Sequence, residues 1–314
     1  MTGSVRLVCP RDALPLQASG DRLRCEAGHS YAIRDGVPVL LLEEVEPTQP
    51  GYWALGDEVY AELAHALPRP GEVHPYVRAL LRGTCGNLYS SVEIDRYPIP
   101  VLPLAAGEGR LLDIGSNWGR WCIAAARLGY SPVGIDPALG AVLVARSVAA
   151  DLGASADYFV ADGRHLPFSG ASFDVVFSYG VLQHFSPEDA LAAIREAARV
   201  LVPGGTLLVQ MPNRYGLLNL LRQAKSGFRE VRGFDVRYWS PRILRNEFGE
   251  VVGPSRLEVD GFFSLNAQMS DLTLLRLRHR AVVAASAGLR ALSRWLPPLV
   301  YAADSFYIRA TKTR

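Results

Sequence analysis

Lysine is nearly missing from this 314-residue chain: Lys225 and Lys312 are the only two, so arginine carries almost all of the positive charge. That bias reads as genomic base composition rather than as a phosphate-binding surface. A dominant charge sign is missing as well. The 33 basic and 31 acidic side chains leave a formal net charge of +2, too weak a field to make nucleic acid the default partner. No uncharged apolar stretch approaches the roughly 18 residues of a spanning helix, and the opening MTGSVRLVCPRD has no apolar run of the signal-peptide kind. A cytoplasmic location is expected. Cysteine is scarce: Cys9, Cys25, Cys85 and Cys122 are widely spread, which argues against a disulfide framework and leaves metal binding or plain burial. Internal repeats and low-complexity tracts are also missing.

What is present is ample apolar material, 49% of residues, enough for a sizeable core in one large or two smaller domains. Residues 1–45 form a unit of short β-like runs (6–8, 22–25, 30–33, 37–42) punctuated by Pro10, Gly20, Gly28 and Gly36. Residues 46–103 follow as a linker and helical cap, acidic and proline-bearing at first, then helical but broken by Pro68, Pro70, Pro75, Pro98 and Pro100. From residue 104 to 314 strands and helices alternate, with strands near 110–114, 131–135, 156–160, 173–178 and 205–211 and helices at 118–128, 139–152 and 187–201. The last helix has Pro187 in its first turn and Gly204-Gly205 beyond its end. This order predicts an α/β domain with a doubly wound, mostly parallel sheet of seven strands. A basic insert (about 215–240), a short helix (241–248), a strand (257–263), a helical insert (about 265–300) and a final strand (303–310) at the sheet edge complete the reading.

In LLDIGSNWGRW an apolar strand ends in Asp113, turns through Gly115, Ser116 and Asn117, and enters a helix at about Gly119. Compact residues here let a ligand approach the backbone. The turn alone says only nucleotide, since several cofactor classes use it. The G-x-G-x-x-G of dinucleotide enzymes is incomplete, and Asp113 would put a carboxylate beside a pyrophosphate. A cofactor with an ammonium and a sulfonium but no phosphate suits the loop better. The second strand ends VGIDP, which sets Asp136 and Pro137 about twenty residues past the turn, where a ribose would lie. The third ends VADGRHLPF, where Asp162, with Gly163 and Arg164, is placed to accept from an adenine amine. Three acids at three consecutive strand tips form a stronger signal than any one of them.

With DIGSNWG, GIDP, ADGRHLPF, FDVVFSYGVLQHF and LVPGGTLLVQMPN in order, the segment from 109 to 213 resembles the class I S-adenosylmethionine-dependent methyltransferases. The resemblance implies a Rossmann-like fold, S-adenosyl-L-methionine as cofactor, and Ser178 and Tyr179 beside it. One departure is Asn117 where the family's middle glycine stands, and Asn is the residue after glycine that best tolerates a left-handed backbone. Methyl transfer needs mainly alignment and a dry site. If a base takes part, His184 in SYGVLQHF is the first choice, against a histidine that merely hydrogen-bonds backbone. The sequence SYGVLQHF lacks the Asn/Asp-Pro-Pro-aromatic of amino-methylating nucleic-acid enzymes, and no cysteine stands where base C5 methylation needs one.

The first forty residues place Cys9 and Asp12 on one knuckle and Cys25 and His29 on another, a set suited to tetrahedral zinc. The segment, IRDGVPVLL above all, resembles the zinc ribbon of the small methyltransferase activator protein and of some ribosomal RNA methyltransferases, where Cys usually stands in place of Asp12. A metal-free ribbon held by its own core is the alternative. Residues 276–295, basic then apolar, suit packing on the sheet, a second subunit in a homodimer, or a peripheral membrane surface. The leading expectation is methylation of O, N or C on a small or medium-sized metabolite. Ribosomal or transfer RNA is the rival substrate, and a non-catalytic adaptor that keeps the cofactor and works through the ribbon is the rival class.

Overall fold

The structure is a computed structural model of the chain and describes residues 5–48, 62–69, 71–84, 92–229, 236–263 and 268–313. Cys85 and Arg232 lie outside the described residues. The ribbon contributes β1 (Gln17–Ser19), β2 (Arg22–Arg24), β3 (Ser30–Arg34) and β4 (Val37–Leu40), followed by helix α1 (Pro75–Thr84). The α/β unit runs β5 (Arg110–Ile114), α2 (Arg120–Arg127), β6 (Ser131–Asp136), α3 (Leu139–Asp151), β7 (Asp157–Ala161), β8 (Phe173–Tyr179), α4 (Pro187–Val200) and β9 (Leu201–Pro212). Then come α5 (Leu217–Lys225), α6 (Pro241–Val251), β10 (Ser255–Gly261), α7 (Leu277–Leu292) and β11 (Ser305–Thr311).

Eleven strands form one sheet in the order β1-β2-β3-β4-β7-β6-β5-β8-β9-β11-β10. Seven of them, β5 to β11, are the expected Rossmann-like set. Parallel pairing runs from β7 through β6, β5 and β8 to β9, and β11 is antiparallel to both its neighbours. Helices cover both faces. Leu112, Ile114 and Val176 join α4 and α6 through Ala190, Ile194, Leu244 and Phe248 on one side. Leu111, Val175 and Phe177 join α2 through Trp121, Ala124 and Ala125 on the other. Near-continuous burial along β5 and β6 is what a parallel strand covered on both faces requires. Helix α4 starts as its sequence dictates: Ser186 caps Asp189 N–H at 3.1 Å, Pro187 follows, and Glu188 and Asp189 meet the positive end of the helix.

Three details differ from the sequence reading. The final strand is interior, between β9 and β10, because Phe306, Tyr307 and Ile308 are fully buried and an edge leaves one side open; β10, with its exposed and half-buried start, forms the edge instead. Gly204 and Gly205 lie within β9 and do not stop the preceding helix, which gives way to strand at Leu201. A Cβ on Gly205 would stand 2.8 Å from Val202 O and 3.1 Å from Asp174 O, so the glycine answers a close approach of backbone. The basic insert, for which the sequence reading named no element, contains the helix α5.

The ribbon is also continuous with the large sheet. Val39 and Leu40 of β4 pair in parallel with Val160 and Ala161 of β7, covering what would otherwise be an open edge. Among the described residues no helix is long and apolar enough to cross a membrane.

Candidate cofactor-binding and metal sites

Asp113, Asp136, Asp162 and Tyr179 all stand at or just past the carboxyl ends of β5, β6, β7 and β8. Strand order reverses between β5 and β8, so the loops there diverge and leave the crevice in which α/β sheets bind ligands. The glycine loop crosses this crevice. Gly115 (φ 77°) and Gly119 (φ 83°) take the left-handed conformation, and Asn117 does so at φ 46°, as its tolerance of that region predicts. A Cβ on Gly115 would strike the Val181 side chain and one on Gly119 would strike the Tyr158 hydroxyl, so neither position has room for one. The N–H groups of Gly115 and Ser116 both donate to Ile135 O at 2.9 Å, which locks the loop to the tip of β6.

Asp136 is the pin of this arrangement. One carboxylate oxygen accepts from Asn117 N–H and the other from Ala138 N–H, each at 3.0 Å. It thereby joins the glycine loop to the segment through Pro137 that opens α3.

Asp113 is fully buried, and its Oδ1 has no hydrogen-bond partner; the Ser116 hydroxyl is likewise buried without one. Asp113 Oδ2 meets only the Cys122 thiol, at 3.6 Å. Burial pushes the Asp113 carboxyl from 3.8 up to about 7, against the lowering effects of Cys122 and Arg120. A carboxyl raised in the folded state binds its proton more tightly there than in the unfolded chain, so its contribution is full below about pH 4 and is lost as pH rises through about 7. Urea unfolding of the cofactor-free protein is therefore expected to show stability falling over that window, by on the order of 4 kcal/mol. Asp113→Asn should flatten the profile; an equally steep one in the variant would refute the assignment.

Asp162 is arranged differently from the open acceptor pictured for adenine. Arg164 clasps it with Nε at 3.1 Å from both oxygens, Nη2 at 2.7 Å from Oδ2, and the backbone N–H at 2.8 Å from Oδ1. The same guanidinium reaches Asp189 at 2.8 Å and Glu46 O at 2.7 Å. Gly163 lies against Ile114, where a Cβ would stand 2.9 Å from its Cγ2. Ser178 faces inward and donates to Ile114 O at 3.1 Å. The Tyr179 ring rests on Trp121, centroids 4.8 Å apart, with the Arg120 guanidinium 5.5 Å from its centre. His184 is half-buried on a short 3-10 turn after β8, with Nε2 3.1 Å from the Gln183 side-chain nitrogen. Sequence reasoning missed Asp260 of β10, which accepts from the Tyr179 hydroxyl at 3.3 Å; no motif marks it, only an acid in an otherwise apolar strand end.

The ribbon gathers its four named residues. Cys9 Sγ, Asp12 Oδ2, Cys25 Sγ and His29 Nδ1 lie within 4.8 Å of one another, a group of metal-ligating type. His29 Nδ1 is 3.5 Å from each sulfur and 2.8 Å from Asp12, and Cys25 is 3.5 Å from Asp12. Ligands around tetrahedral zinc stand roughly 3.3–3.8 Å apart, which the three 3.5 Å spacings match, while Asp12 and His29 at 2.8 Å are in direct hydrogen-bond contact. The Leu14 N–H bonded to Asp12 lowers that carboxyl to about 2, which keeps it anionic. Cys9 also meets the Tyr31 hydroxyl at 3.1 Å.

Residues 111–205 match the family model described as a methyltransferase domain. A ubiquinone biosynthesis O-methyltransferase of Chelativorans sp. (strain BNC1) is 35% identical over 149 residues, covering 48% of this chain and 55% of that protein. One of the same name from Azorhizobium caulinodans is 36% identical over 152 residues, covering 48% and 56%. The chain thus spans about half the length of the curated relatives it matches. A solved SAM-dependent methyltransferase of Methanosarcina mazei is 20% identical, with a TM-score of 0.47 over 69% of this chain and 98% of that one. The α/β part of this chain is thus similar to S-adenosylmethionine-dependent methyltransferases, with the methyltransferase-domain match carried by residues 111–205.

Proposed function

We propose that this protein methylates an oxygen of a small metabolite, with S-adenosylmethionine as donor. The observation that carries the reading is the methyltransferase-domain match over 111–205, which spans the glycine loop and all three strand-tip acids. The curated relatives are O-methyltransferases, which supports oxygen as the acceptor atom. The cofactor fits the residues present: Asp113 Oδ1 and Ser116 Oγ are buried polar atoms lacking protein partners beside a loop too tight for side chains. When bound, the cofactor supplies an electrophilic methyl on a sulfonium. Asp113, Ser116 and the backbone of Gly115, Asn117 and Gly119 would hold its amino-acid end, and Asp136 its ribose. The 162–168 loop would flank the adenine through Gly163 and the apolar Leu166, with Asp162 and Arg164 bracing that loop.

Ser178 and Tyr179 close the crevice at the end of β8, where an acceptor must meet the methyl in line. His184, on the short turn after β8, is the proposed general base for the acceptor's proton. Calorimetry with S-adenosylhomocysteine and NADH tests the cofactor; binding of NADH in its place would overturn the reading. Transfer of labelled methyl from S-adenosylmethionine to a panel of phenols and hydroxy acids tests the acceptor.

We also propose that Cys9, Asp12, Cys25 and His29 hold a structural zinc ion. The closed four-ligand set supports a structural rather than a catalytic metal, since no position is left for a substrate. Elemental analysis of the purified protein is expected to find one zinc per chain, falling to a small fraction in Cys25→Ala. Wild-type protein without stoichiometric metal would refute it.

A further inference from the structure

Helix α6 opens on charge of the wrong sign for its own dipole. Its first turn carries Arg242 and no acid, and Arg245 follows one turn on. The start of a helix is its positive end, so arginines there are unfavourable unless an anion offsets them. Helix α4 begins with the same Ser-Pro pair and shows the ordinary solution, with Ser186 as cap and Glu188 and Asp189 in the first turn. In α6 the Ser240 side chain makes no cap hydrogen bond. Among the described residues, the Arg242 and Arg245 guanidiniums have neither a hydrogen bond nor an ion pair.

These groups share one cleft. Ser240, Arg242, Arg245 and Asn246 line an open space of about 650 Å³ along α6, together with Tyr215 and Tyr301. No acidic side chain is among the described residues that line it, and none of the strand-tip acids reaches it. Its size suits a small organic molecule. Ser240 is only 8% exposed, so its uncommitted hydroxyl is a buried polar group whose partner must come from the contents of the cleft. A hydroxyl and two guanidiniums at the start of a helix form a donor set for an oxyanion, and a doubly charged phosphate uses it better than a carboxylate does. Tyr215 and Tyr301 are 47% and 50% exposed, which leaves two aromatic surfaces open to a flat ligand.

The cleft is also tied to the turn that bears His184. Arg237 donates its N–H to Gln183 O and its Nη1 to His184 O, each at 2.8 Å. Trp239, directly before Ser240, donates to Pro212 O at 3.2 Å. We propose that the cleft along α6 binds the phosphate monoester of a small aromatic molecule, with the phosphate at Ser240, Arg242 and Arg245 and the ring against Tyr215 and Tyr301. The site goes beyond the methyltransferase reading and does not depend on it, because its occupancy is read directly.

Calorimetry of the full-length protein with phenyl phosphate tests it. One molecule per chain is expected to bind, roughly tenfold more tightly than inorganic phosphate, and phenol should give no response. Arg242→Gln combined with Arg245→Gln changes two exposed side chains, so the fold should persist. That variant should bind phenyl phosphate about 30-fold more weakly and S-adenosylhomocysteine within about twofold of wild type. Tyr215→Ala with Tyr301→Ala should reduce phenyl phosphate to the affinity of inorganic phosphate. Phenyl phosphate that does not bind, or that binds the arginine variant as well as wild type, would overturn the proposal. Displacement of phenyl phosphate by S-adenosylhomocysteine would also overturn it, by placing the ligand in the cofactor crevice. Two sources of the phosphate are separated by methyl transfer. Labelling of 4-hydroxyphenyl phosphate but not of hydroquinone assigns the phosphate to the methyl acceptor, and equal labelling of the two assigns it to a separate ligand; either result supports the site. Failure of S-adenosylhomocysteine to bind while phenyl phosphate binds would refute the methyltransferase reading and leave the cleft standing.

Discussion

Asp136→Ala is expected to weaken S-adenosylhomocysteine binding by about 100-fold, the equivalent of roughly 3 kcal/mol, while the protein remains folded. The size follows from two losses at one position. The carboxylate is the acceptor proposed for the ribose hydroxyls, and a hydrogen bond to a charged group contributes about 1.5–3 kcal/mol. The same carboxylate also holds Asn117 N–H and Ala138 N–H, each at 3.0 Å, so without it the left-handed Asn117 loses its anchor and the glycine loop its shape. Asp136→Asn keeps one acceptor oxygen and should fall between, at roughly tenfold. Calorimetry gives the affinities and circular dichroism the fold. A change under threefold in Asp136→Ala would remove this residue from the cofactor site.

Arg164→Ala is expected to be the most destabilising of the polar substitutions, by about 3–5 kcal/mol in urea unfolding, because it leaves a buried carboxylate unpaired. The guanidinium is 9% exposed and the Asp162 side chain 7%, so solvent does little to compensate. Besides Asp162, the arginine holds Asp189 at the start of α4 and Glu46 O in the segment after the ribbon, so three stretches of chain loosen together. Arg164→Lys should recover only part of the loss, since a single ammonium cannot reproduce the fork that spans Asp162 and Asp189. The double substitution Asp162→Asn with Arg164→Met, which removes both charges, should be milder than Arg164→Ala alone. As a contrast, the Asp95–Arg96 pair is 58% and 56% exposed, and its removal should leave the urea midpoint close to that of wild type. Equal effects at the two pairs would show that burial does not govern them.

Legibility in the sequence followed the distance along the chain over which each feature is decided. The glycine loop, the strands on either side of it and the acids at their tips are written in runs of five to ten residues, where period, glycine placement and capping residues act locally. That is why DIGSNWG and VGIDP placed Asp113, Asn117 and Asp136 where they stand. The Asp162–Arg164 clasp was out of reach even though the residues are two apart, because it depends on Asp189 and Glu46 arriving from elsewhere to fill the guanidinium. The four ribbon ligands sat in the sequence as two pairs, and folding of β1 to β4 brought them within 4.8 Å.

By itself, then, the sequence determined the class of fold, the glycine loop and the acids at the strand tips, and the pairs of Cys, Asp and His in the ribbon, since each is a matter of residue type at short spacing. Only the tertiary structure decided that β4 extends the large sheet along β7, that β11 inserts between β9 and β10, and that Asp260 meets Tyr179 from 81 residues away. These choices belong to strand partnership. A strand's pattern of burial says that it will pair, while its partner is selected by the whole set of edges and faces left to be covered.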